Sequence, residues 1–166
     1  ENILSIDGGE EYFLEFMYKD ILVSSNTQVP FKPENFETST ATIELTRITG
    51  DGGGGGPGSI SESLELSWKN PDNGYYLVKY EYLEDEYDPV NETIDIDNPE
   101  DLANFTSTPI QDSVYSVKGR QFNYFGKYNL ILYKITEEYA VIYESLNQSS
   151  LDDLTEPITN INNGKG

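Results

Sequence analysis

The chain has 166 residues, with 30 acidic side chains against 10 basic ones, a net charge of −20 at pH 7, and neither histidine nor cysteine. Histidine is the commonest metal ligand and the side chain that titrates nearest neutrality, and cysteine is the thiolate nucleophile, so their absence argues against zinc sites, Ser-His-Asp and Cys-His hydrolysis, haem and iron–sulfur chemistry. The acidic field repels phosphate and anionic lipid, which argues against nucleic-acid and membrane-surface partners; Lys118, Arg120 and Lys127 form the only near-cluster of cations. The length suits one domain or two small ones. Hydrophobic residues make up 36% of the chain, but 13% is aromatic, with 13 tyrosines. That supply of large side chains points to a folded, β-rich protein and not an acidic disordered one.

Between Glu11 and Val23, Tyr12, Leu14, Phe16 and Tyr18 alternate with Phe13, Glu15, Met17 and Lys19, which predicts one strand. Pro30 and Pro33 end it. A second, amphipathic strand is predicted over Thr40–Ile48, with Ile43 and Leu45 on one face and Thr42, Glu44 and Thr46 on the other. Residues 51–58, which contain five consecutive glycines, read as a flexible linker; no Gly-Lys-Ser/Thr follows to make them a phosphate cradle. From Ser61 to Tyr82, Leu64, Leu66 and Trp68 share one face of a strand. The sequence Asn70-Pro71-Asp72-Asn73-Gly74 has turn chemistry, and Tyr76, Val78, Tyr80 and Tyr82 share a face of the next strand. The pair makes either a hairpin or a sheet-to-sheet corner, and Trp68, in phase with Leu64 and Leu66, reads as a core anchor more readily than as a sugar-stacking ring.

Leu83 to Ser113 carries Pro89, Pro99 and Pro109 and reads as a long surface excursion with one helical turn near Pro99–Leu102. Strands are predicted at Val114–Val117 and at Lys127–Ile135, the latter central and buried because both faces are apolar. Thr136, as N-cap, and Glu137-Glu138, at the positive end of the dipole, start a helix that runs to about Asn147. Tyr139, Ile142, Tyr143 and Leu146 form its packing stripe. The remaining tail reads as an extended closing segment. No apolar run is long enough to cross a bilayer and no signal peptide is recognised; both ends read as cut, so any anchor is expected outside this chain.

Paired carboxylates are plentiful, but most fall in loops such as Glu84-Asp85-Glu86-Tyr87-Asp88, where water keeps them ionised. A glycosidase needs two at a set separation, one of them desolvated. Hard-cation binding is the stronger candidate. Asp95-Ile96-Asp97-Asn98-Pro99-Glu100-Asp101 gathers oxygen ligands, with Asp95, Asp97 and Asp101 as the candidate calcium ligands. An EF-hand is ruled out, since its glycine and glutamate positions hold Glu100 and Thr106. Three Asn-x-Ser/Thr sequons, at Asn91, Asn104 and Asn147, are expected by chance in an Asn-rich chain.

The stretch Leu64-Glu65-Leu66-Ser67-Trp68-Lys69-Asn70-Pro71, followed by Tyr75-Tyr76-Leu77-Val78-Lys79-Tyr80, resembles the second and third strands of a fibronectin type III-like sandwich, where an L-x-W-x-x-P strand precedes a Y-x-V-x-Y strand. The segment Tyr139–Gly166, ending Glu156-Pro157-Ile158-Thr159-Asn160-Ile161-Asn162-Asn163-Gly164-Lys165-Gly166, is similar to the closing segment of Bacteroidetes outer-membrane lipoproteins of unknown function. The likeness covers roughly residues 60–166. It implies an exported, lipid-anchored protein on the extracellular face of the outer membrane or in the periplasm, set beside nutrient-uptake receptors. It supplies no catalytic residues, and the usual lipobox cysteine is not in this chain.

The expectation is therefore an all-β, fibronectin type III- or immunoglobulin-like antiparallel sandwich with one short C-terminal α-helix. Residues 1–50 extend the sandwich or form a small strand layer in front of it, 51–58 link, and 59–166 form the sandwich with its helix. The expected function is non-enzymatic binding or scaffolding of a protein or glycan at the cell surface, with no cofactor and with the membrane reached only through an anchor outside the chain. The alternative is a calcium-dependent carbohydrate-binding or adhesive domain.

Overall fold

In the computed structural model, residues 6–49, 62–93, 97–146 and 161–162 are described. Strands dominate, and every ladder between them is antiparallel. One sheet joins β3 (Glu37–Thr38), β4 (Ser63–Ser67) and β8 (Val114–Lys118), with β4 in the middle. A second joins β10 (Tyr128–Ile135), β5 (Tyr75–Tyr82) and β7 (Phe105–Thr106), with β5 in the middle. A third sets β1 (Glu11–Tyr18) and β2 (Ile21–Gln28) beside β11 (Ile161–Asn162), and β6 (Asp88–Pro89) pairs with β9 (Tyr124–Phe125). The helices are α1 (Pro99–Ala103) and α2 (Glu137–Leu146).

The first two sheets form the sandwich. Period-2 alternation puts Leu64, Leu66 and the following Trp68 on the inner face of one, and Tyr76, Val78 and Tyr80 on the inner face of the other. Val117 and Leu132 join from the neighbouring strands, and Ile110 and Phe122 join from connections. The Trp68 and Tyr76 rings meet with centroids 5.2 Å apart. β4 and β5 do not pair; the Asn70–Gly74 turn carries the chain from one sheet to the other. Asn70 holds that corner, its Oδ1 accepting from Gly74 N at 2.8 Å and its Nδ2 donating to Gln111 O at 2.7 Å. Asn73 takes the left-handed backbone (φ 54°) that asparagine tolerates best after glycine. At the second sheet's other edge, Ser107 N donates to Val78 O at 2.9 Å, while Val78 N donates to Ser107 Oγ at 3.0 Å, so a side chain completes the ladder.

Several predicted elements change. The segment Glu11–Val23 is not one strand but most of a hairpin, because Lys19 and Asp20 both adopt positive φ (46° and 64°), as a two-residue hairpin turn that follows the strand twist requires. Thr40–Ile48 keeps its predicted sidedness, Ile43 and Leu45 being half-buried and Thr42, Glu44 and Thr46 exposed, but makes no strand ladder. It is β3 that pairs with β4, at Ser67 and Leu66. The stretch from Leu83 to Ser113 is not wholly a surface excursion, since Val90, Ala103 and Ile110 are buried. β10 is an edge strand, not the central one: its inner face packs Leu132, and Tyr133 on its outer face stays exposed. Helix α2 is capped as predicted, Tyr139 N donating to Thr136 Oγ1 at 3.3 Å. Of its predicted stripe Tyr143 is half-buried, whereas Tyr139 and Ile142 are exposed and the Leu146 side chain lies outside the described set; Ala140 is the fully buried residue among those described. The glycine run lies outside the described residues.

Trp68 is only 5% exposed, and its indole Nε1 has no partner among the described residues. Its value is therefore volume and ring contact. Trp68→Ala is expected to lower the unfolding free energy by about 3–5 kcal/mol through the cavity it leaves, and Trp68→Phe by clearly less, in urea denaturation followed by circular dichroism.

Candidate functional site

The residues singled out for calcium do not assemble within the described part of the chain. Asp95 lies outside it. Asp97 is exposed, and Asp101 accepts from Asn98 Nδ2 at 2.6 Å at the start of α1. Among the described residues no three acidic side chains form a group that could hold a metal. Trp68, the candidate sugar platform, is sealed in the core.

The structure instead opens a cleft of about 330 Å³ at one end of the sandwich. Its floor comes from buried Leu64 on β4, Phe122, and Tyr124 on β9. Tyr128 and Leu130 on β10 form one wall, and Ile43 and Leu45 form the other. The second wall is the strap of residues 40–48, pinned mainly at its C-terminal end and held just before its start by Ser39 N donating to Glu65 O at 2.9 Å. Arg47 donates to Asp88 Oδ2 at 2.8 Å, Glu92 Oε1 at 3.2 Å and Pro89 O at 3.0 Å, and its guanidinium lies 4.7 Å from the centre of the Phe125 ring. Ile48 N donates to Val90 O at 2.8 Å. In the strap's middle, Glu44 N donates to Glu62 Oε2 at 2.8 Å. Apolar contact therefore holds much of this wall.

Behind the floor the aromatic side chains are continuous. Tyr80 stacks on Phe105 at 4.0 Å and meets Phe122 edge-on at 5.8 Å; Phe122 meets Tyr128 at 4.8 Å, and Tyr128 meets Tyr82 at 5.0 Å. Tyr128 donates its hydroxyl to Tyr124 O at 3.1 Å, which ties β10 to β9. Tyr124 is 2% exposed, and its own hydroxyl, closed from water, has no partner among the described residues. Gly126 turns the chain between these strands at φ 144°. A Cβ there would sit 2.8 Å from Tyr82 Cε2 and 2.9 Å from Glu84 Cγ, so both conformation and space call for glycine. Gly126→Ala is expected to cost about 1–3 kcal/mol in the same denaturation experiment and to loosen the cleft mouth.

Burial raises the phenol pKa of Tyr80, Tyr128, Tyr124 and Tyr82 above the ordinary value near 10, with Tyr80 and Tyr128 raised furthest; the hydroxyl of Tyr115 adds to the effect at Tyr80. The unfolded chain releases these protons near pH 10 while the folded chain keeps them. Their contribution to stability is thus complete below that pH and declines as pH rises above it. Absorbance at 295 nm is expected to show the buried set ionising only as circular dichroism reports alkaline unfolding.

Comparison with known protein families, with curated proteins and with solved structures finds no match to this chain. The cleft was not visible as a motif. Its lining comes from three separated stretches, and the one local signal was the alternation of Phe122 with Tyr124 just ahead of Gly126.

Proposed function

We propose that this chain is a non-enzymatic binding module of an exported, lipid-anchored bacterial surface protein, with the cleft beneath residues 41–45 as its ligand site. The observation that carries the reading is the cleft itself: a concave, mostly apolar site with few polar groups is the usual form of a small-ligand pocket. A second support comes from the carboxylates. Lys134, Asn129 and Arg47 bond Asp72, Glu81 and Asp88 respectively and hold each below the usual carboxylate range, whereas an acid catalyst needs the opposite shift. Export, lipid anchoring and the fibronectin type III-like topology rest on the resemblance of residues 60–166 described above.

The test uses a neutral environment-sensitive dye, N-phenyl-1-naphthylamine. Saturable fluorescence enhancement is expected with the parent protein and its loss with Ala41→Trp, which fills the cleft from an exposed lining position and leaves the core untouched. An unchanged signal in that variant, or no enhancement at all, would remove the cleft as the binding site.

A further inference from the structure

Resting on the cleft being a ligand site, we infer that its ligand is a single-chain amphiphile with a carboxylate head: an unbranched body of about ten carbons in the cleft and the head at Lys127. The size follows from volume, since about 330 Å³ accommodates on the order of ten groups that each fill about 30 Å³. The body must be apolar. Ile43, Leu45, Leu64 and Leu130 line the cleft with Tyr128 and Phe122, and a sugar's hydroxyls would lose their hydrogen bonds against four aliphatic side chains.

The head follows from charge. Acids outnumber bases 30 to 10 in this chain, yet among the described residues the only charged side chain lining the cleft is a cation, Lys127. It stands exposed at the mouth. The other cation nearby, Arg47, is committed to Asp88 and Glu92; Lys127 has no ion pair among the described residues. Glu84, whose Oε1 accepts from the Lys127 amide at 3.2 Å, keeps its negative charge, and the chain as a whole carries −20, so the local Lys127 ammonium must outweigh both, which the comparison of anionic and cationic heads decides. An ammonium at the rim of an apolar cleft matches an anionic head whose tail is buried.

The experiment compares decanoate, decanol and decylamine, which share a tail and differ in head, by titration calorimetry against the parent protein and Lys127→Gln, with melting curves confirming that the variant folds. Decanoate is expected to bind best, with its affinity falling about two- to fivefold in Lys127→Gln while decanol is unaffected. Decanol binding as tightly as decanoate, decylamine binding tightest, or decanoate binding unaltered by the substitution would each overturn the carboxylate assignment while leaving the cleft intact. If none of the three binds and the neutral dye also fails, the site itself falls; if only the dye binds, the ligand class alone is wrong.

Discussion

Everything in the sandwich depends on the passage from Trp68 to Tyr76. These two rings belong to different sheets and are separated by one short turn, so their contact fixes the spacing of the layers at the point where the chain crosses between them. Asn70 makes the crossing rigid by closing the turn on itself and tying it to Gln111. From that corner each strand can proceed in one sense only. β4 delivers Leu66 and β5 delivers Val78 and Tyr80 to a common interior, and β8 and β10 add one residue each by pairing. The energy is mostly apolar burial, and the hydrogen bonds decide which arrangement of that burial is reached.

The cleft arises where this arrangement stops. At the far end of β4 and β10 the partner that would complete the layer is the strap 40–48, which supplies side chains but no ladder. A wall fixed mainly at its C-terminal end by Arg47 and Ile48, and elsewhere by half-buried Ile43 and Leu45, is easier to displace than a paired strand. The floor is the opposite kind of surface: aromatic rings in continuous contact, held by the Tyr128–Tyr124 bond and the tight turn at Gly126. A firm floor and a yielding wall suit a site that must admit a flexible chain.

The parts of this fold legible in the sequence are those governed by neighbours along the chain. Alternation placed Leu64, Leu66, Trp68, Tyr76, Val78 and Tyr80 on inward faces, and turn and capping chemistry located the Asn70–Gly74 corner and Thr136. What alternation cannot carry is pairing. The run after Glu11 reads as unbroken because Lys19-Asp20 lacks the Asn-Gly signature of a two-residue turn, although the backbone takes that conformation anyway. β10 looks central because it is apolar on both faces, yet centrality is decided by which strands flank it. The candidate site was hidden for the same reason. Its walls come from stretches some 80 residues apart, and no local pattern announces that Ile43 will stand opposite Tyr128.

The β1–β2 ribbon has a consequence of its own. Leu14, Phe16, Tyr18 and Ile21 share one face, no charged residue stands among them, and all four are exposed; Phe13 and Met17 are exposed on the reverse. An apolar outer strand whose far edge is unpaired among the described residues favours aggregation, and mutual repulsion between molecules that each carry a charge of −20 opposes it. That defence has a range of about 8 Å in physiological salt and shrinks further in brine. Raising the ionic strength of the medium therefore weakens what keeps one ribbon from meeting another, even where the core is untouched.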